Sequence, residues 1–142
     1  MVLELENFVP YLLHQTHLAV LRTFEHRLTP LGLTLPQWRV LAALAQHQQL
    51  RFGELAKVTG QEPPTLVRLL GVMEERQLTR RIASATDKRA TDVELTAAGW
   101  ALAGDILPQA QAVEDKALAG FSADEIEFLR RLLRRVQANA EA

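Results

Sequence analysis

The sequence predicts a mainly α fold with one small β-hairpin. Apolar residues recur at three- and four-residue steps along most of the chain, which is the period of a buried helix face. Two complete helix-start signatures stand far apart, Thr34-x-x-Gln37 and Ser122-x-x-Glu125. Only Leu78–Leu95 changes character, with two short, partly β-branched segments on either side of a basic polar turn. At 142 residues, 48% hydrophobic and 23% charged, the chain has the size and composition of one globular domain with its own core.

The elements follow in order. Leu13, Val20, Leu21, Phe24, Leu28 and Leu31 give the first helix its stripe, widened by Leu12, Leu18 and Ala19. Pro10 suits its first turn, where a missing N–H costs nothing. Pro30 disfavours helical geometry at Thr29, so the helix is expected to end near Leu28. In the second helix Thr34 and Gln37 form a capping box while Leu33 and Trp38 make a hydrophobic staple. Trp38, Val40, Leu41 and Leu44 then run inward to about His47, and the polar Gln46–Gln49 run reads as a loop. A short helix over about Gly53–Val58 ends at Gly60. After a very short turn a fourth helix spans Pro63 to Arg76, burying Leu66, Leu69, Leu70 and Met73, with Thr65 and Arg68 on another face. Leu78–Ile82 and Asp92–Leu95 form the hairpin. Thr96 caps a helix to about Leu118, which Pro108 is expected to kink. Ser122 and Glu125, stapled by Phe121 and Ile126, open the last helix, to about Asn139.

Several function classes are excluded at once. Without cysteine there are no disulfides, thiol switches or Cys-ligated zinc. The N-terminus lacks a basic n-region and a small-residue cleavage site, and no apolar run approaches the ~20 residues of a membrane span. A cytoplasmic protein without membrane contact is expected. Catalysis would need a nucleophile–base pair, a phosphate loop or paired carboxylates at meaningful spacing. Ser84 and Ser122, in a turn and a cap, are the only serines, so no enzyme is expected. His14 and His17 are three apart, but no carboxylate or thiol cluster completes a metal set, and no cofactor is expected.

The charge distribution is more informative than its sum. The formal charge is −1, yet Arg76, Arg80, Arg81, Lys88 and Arg89 face only Asp87 within Arg76–Arg89. A helix, a glycine-bearing turn, a second helix and a cationic hairpin have the layout of a winged helix-turn-helix. Its second helix would fit the DNA major groove and its N-terminus would favour phosphate. The cationic loop would enter a narrow minor groove. A plain helical hairpin with a solvated charged turn has the same pattern. Asp92 and Glu94 on the return strand lower the wing's charge, so any contact is focused rather than broad.

LGLTLPQWRVL, FGELAKVTGQEPPTLVRLLGVMEERQLTRR and ATDKRATDVELTAAG, in this order and spacing, resemble the MarR family of bacterial transcription regulators, and most closely its SlyA-like branch. The resemblance covers about Leu31 to Gly99. It implies one domain over 1–142, with a DNA-binding lobe at 32–96 and a helical dimerisation region formed by 1–31 and 97–142. It implies that Pro63–Arg76 is the recognition helix, with Pro64, Thr65 and Arg68 contacting double-stranded DNA. Arg81, Lys88 and the Asp87–Arg89 pair of the wing join them, Arg89 entering the minor groove and Asp87 holding its guanidinium or simply forming the turn. A homodimer would place two recognition helices ~34 Å apart on a near-palindromic operator. A ligand-responsive repressor is implied, with a small aromatic acid or phenolic effector held near His14, His17, Trp38 and Arg39. Four positions depart from the family pattern, two of them Asp92 and Glu94 on the return strand, where relatives often carry bases. Gln77 stands where a glycine often ends the recognition helix, and Gly71 replaces a polar helix former at ~1 kcal/mol relative to alanine. Apart from the resemblance, a helical protein-interaction module of the same shape is the other reading.

Overall fold

The second helix starts where its capping box puts it. In the computed structural model, which describes residues 1–142, Thr34 N–H donates to Gln37 Oε1 at 3.0 Å and Gln37 N–H donates to Thr34 Oγ1 at 3.4 Å. This opens α2 (Leu35–His47). Ser122 and Glu125 make the same reciprocal pair at 2.9 and 3.1 Å and open α6 (Ala123–Glu141). The Ser122 backbone N–H, and then its hydroxyl, hold the Glu125 carboxyl below the usual carboxylate range. Between and around these lie α1 (Val9–Leu28), β1 (Gln49–Arg51), α3 (Phe52–Thr59), α4 (Pro63–Glu75), β2 (Thr79–Ala83), β3 (Thr91–Leu95) and α5 (Ala97–Ala117).

α1 ends at Leu28 as expected, but not for the expected reason. Thr29 keeps helical angles (φ −54°, ψ −45°), and the chain tightens into a 3-10 turn over Thr29–Leu31. Gly32, left-handed at φ 67°, turns the chain out of it. α5 runs through Pro108 as a single helix.

The β structure is larger than a hairpin. β3 is the middle strand of a three-stranded antiparallel sheet in the order β1-β3-β2. Leu50 pairs with Val93 on one side, and Thr79 to Ala83 pair with Leu95 to Thr91 on the other. Gln49, expected in a loop, begins β1. Three residues are too few for an alternation pattern to show in sequence.

The core lies where α2, α3, α4 and the sheet meet. Val40, Leu41, Leu44, Leu55, Leu66, Leu70, Met73 and Val93 are fully enclosed, joined by Leu28 from α1 and Ile106 from α5. Each such side chain contributes about 1.5–3 kcal/mol relative to exposure. The corner after α4 is closed by Gln77 at φ 60°, so the left-handed position usual for glycine is held here by a residue with a Cβ. Thr96 secures that corner: its hydroxyl donates to the Gln77 carbonyl at 2.5 Å and accepts the Gly99 N–H at 3.0 Å. A Cβ at Gly99 would run into the Leu78 carbonyl, so α5 can start this close to β2 only with glycine there.

Candidate nucleic-acid interface

α3 and α4 are joined by a short turn over residues 60–62. Gly60 is left-handed at φ 69° and the Gln61 N–H bonds back to the Ala56 carbonyl at 3.0 Å. α4 buries Leu66, Leu70 and Met73, which turns Pro64, Arg68 and Val72 to solvent and leaves Thr65 half-buried at the margin. Arg68 takes part in none of the ion pairs of the chain. One expectation for this end needs correcting. Pro63 and Pro64 carry no N–H, and the Leu66 N–H is already bonded to the Glu62 carbonyl. Thr65 therefore offers the only free backbone donor of the first turn, and an anion here would rely on the helix dipole and side chains.

The cations that sequence grouped together separate by role. Arg80 Nε pairs with Glu94 at 2.6 Å across β2 and β3, and Arg81 Nε pairs with Glu74 of α4 at 2.6 Å. Arg76 Nη1 donates to the Gly32 carbonyl at 2.7 Å, tying the end of α4 to the turn after α1. Lys88 and Arg89 remain exposed at the wing tip without such a partner. Asp87 acts on the backbone: its Oδ1 accepts the Arg89 N–H at 2.9 Å, so it shapes the turn that presents Arg89. Glu94 is the partner of Arg80, and Asp92 is 6% exposed with Oδ2 accepting from Gln49 Nε2 at 2.6 Å. Neither carboxylate is an open acidic surface. Arg51 was not singled out from sequence, yet its Nη2 donates to Thr86 Oγ1 in the wing at 2.8 Å.

The residues expected around an effector do not converge. Trp38 does line a cavity of about 540 Å³ between α1, α2 and α5, with Val20, Phe24, Leu107, Gln111 and Val113. Its ring meets Phe24 edge-on at 4.8 Å, and its Nε1 is buried without a hydrogen-bond partner. His14 and His17 are exposed along α1, Arg39 is half-buried on α2, and none of the three lines that cavity. No three metal-ligating side chains come together. No helix is long and apolar enough to cross a membrane.

The terminal elements are apolar but uncovered. α6 buries no residue, and Phe128, Leu129 and Val136 stand exposed along it. Leu5, Phe8, Val9, Leu12 and Leu13 are exposed at the other end of the chain.

Comparison with known proteins gives this architecture a context. A sequence model of the MarR family matches residues 31–90. The chain is similar to the crystal structure of the transcriptional regulator PA3341, at 38% identity and a TM-score of 0.86 over 94% of this chain and 98% of that one. It is also similar to a MarR-family transcriptional regulator from Silicibacter pomeroyi, with 29% identity, TM-score 0.84 and coverage of 96% and 92%. A cysteine-to-serine mutant of MarR from E. coli, solved in complex with operator DNA, matches at 26% identity and TM-score 0.79 over 90% and 92%. With a winged helix whose turn, second helix and wing tip fall inside the matched segment, the chain belongs to the MarR family of transcriptional regulators.

Proposed function

We propose that this protein is a sequence-specific double-stranded DNA-binding regulator, cytoplasmic and not an enzyme, that acts as a homodimer on a near-palindromic operator. The observation that carries this reading is the contrast among its arginines. Arg76, Arg80 and Arg81 are spent on internal partners, whereas Arg68 on the open face of α4 and Lys88 and Arg89 at the wing tip are not. Pro64, Thr65 and Arg68 then read base edges in the major groove, and Arg89, presented by the Asp87 turn, enters the minor groove beside Lys88. Arg81 acts through Glu74, fixing the wing against the recognition helix. Operator DNA bound by the E. coli relative supports the same mode here.

Dimerisation follows from the uncovered faces. α6 and the N-terminal segment expose aliphatic and aromatic side chains that a second copy would cover. In this reading 32–96 is the DNA-binding lobe, and 1–31 with 97–142 is the dimerisation region. The regulator acts as a repressor that releases DNA when a small aromatic acid or phenol occupies the Trp38 cavity, packing against its largely apolar wall. A ligand of this kind acts only if it prefers one spacing of the two lobes.

Selection of bound duplexes from a random pool, followed by titration over a range of salt, tests the core of the reading. Arg89→Ala should weaken every sequence alike and lower the salt slope by about 1. Arg68→Ala should also relax preference at one position, by about 1–3 kcal/mol. Wild-type affinity in both variants would remove the assignment and favour a protein-interaction module. Tryptophan fluorescence during titration with salicylate-like acids tests the effector, and no saturable change at millimolar ligand would sink it.

A further inference from the structure

The wing tip is held from a side that sequence does not announce. Its loop is built on Ser84, which is buried and whose Oγ accepts the N–H groups of Thr86 and Asp87, each at 3.3 Å. Thr86 Oγ1 lies 3.2 Å from that hydroxyl. Arg51 reaches the same Thr86 oxygen from β1 at 2.8 Å, across 35 residues of sequence.

The partner's chemistry sets Arg51 apart from its neighbours. Arg80 and Arg81 face carboxylates, and Arg76 meets a neutral carbonyl in the turn after α1, whereas Arg51 meets a neutral hydroxyl in the wing itself. Asp92 stands opposite Arg51 in the strand register, but its carboxylate accepts from Gln49 and forms no ion pair with Arg51. Arg51 therefore keeps its charge, with one N–H of its five engaged. Thr86 is two residues from Lys88 and three from Arg89, so a third uncompensated cation stands beside them, delivered by a different element.

We propose that Arg51 is a phosphate-binding residue of the DNA interface that also positions the wing. One arm of its guanidinium holds Thr86, and the remaining donors take a phosphate oxygen flanking the site where Arg89 enters. The inference rests on the DNA-binding reading above. Its planar fork suits both tasks at once in a fixed geometry that a lysine ammonium lacks.

Three variants separate the roles, each checked by thermal melt and titrated against the selected duplex at several salt concentrations. Arg51→Gln keeps a donor for Thr86 but removes the charge; affinity should fall about tenfold and the log–log salt slope by about 1. Arg51→Lys should restore the slope but not the full affinity. Thr86→Val removes the tether, together with the Ser84 hydroxyl contact, but no charge, so affinity should fall roughly threefold with the slope unchanged. A wild-type slope in Arg51→Gln overturns the phosphate contact and leaves Arg51 an internal strut. A wild-type chain that binds no duplex removes the underlying reading as well, so the two failures are distinguishable.

Discussion

The winged lobe and the terminal helices have similar apolar content but opposite fates for it. α4 encloses Leu66, Leu70 and Met73 completely, while α6 leaves Phe128, Leu129 and Val136 in solvent. The last helix is as well capped as any in the molecule, with both arms of its box formed. Local start signals therefore do not reveal whether a helix is finished by its own chain. The lobe closes on itself because α2, α4 and the sheet present three faces to one volume. α6 has one strong face, and its side-chain ties to the rest of the chain include an exposed Arg130–Glu114 pair at 2.9 Å. Such a pair contributes well under about 1 kcal/mol.

The sharpest way to break this comparison is to damage both sides equally in chemistry. Leu70→Ala should cost the lobe about 2–5 kcal/mol, because a fully enclosed leucine leaves a cavity, and chemical denaturation will measure it. Phe128→Ala should cost far less in chain stability, since the ring is 51% exposed. Its effect should instead appear as dissociation of the proposed dimer, read by sedimentation, with operator affinity falling in step. If Phe128→Ala and Leu70→Ala destabilise alike and neither shifts the oligomer, α6 is not an interface.

A milder test asks whether the lobe is optimised for packing throughout. A Cβ at Gly71 would meet nothing within 4 Å, so no neighbour requires glycine in the middle of α4. Gly71→Ala should stabilise by up to about 1 kcal/mol, seen as a raised melting temperature. Gly99→Ala should do the reverse, since its Cβ collides with the Leu78 carbonyl.

The smallest effect concerns the α6 cap. The carboxyl of Glu125 is held below its usual range by hydrogen bonds to Ser122, so the charged form is favoured in the folded chain. Its contribution is present above the unfolded pKa and disappears as pH falls through the lower, folded one. Helical signal should therefore drop slightly more on acidification in wild type than in Glu125→Ala. Equal acid titrations would show that the box adds no charge-dependent stability.

Much of the fold was legible because its signals are local. Thr34 with Gln37, and Ser122 with Glu125, specify helix starts within four residues, and the three-to-four spacing of Leu66, Leu70 and Met73 orients α4. The order of motifs also pointed to the helix-turn-helix and the wing. β1 was not legible, because its three residues become a strand only by pairing with Val93 and its neighbours. Sequence marks Gln77 as standing at a position usual for glycine, but the Thr96 hydroxyl that bonds its carbonyl, 19 residues on, was not legible.

The candidate site divides in the same way. Sequence alone determined that a cationic segment follows a helix with Arg68 on the face opposite its buried stripe, since composition and period are properties of the chain. Tertiary structure decided which of those cations are available. Arg80 and Arg81 are drawn to Glu94 and Glu74 by strand register and helix packing, and Arg51 is brought to Thr86 from 35 residues away. Counting charges along a chain cannot show this, because an ion pair depends on separation in space, and space is set by the fold.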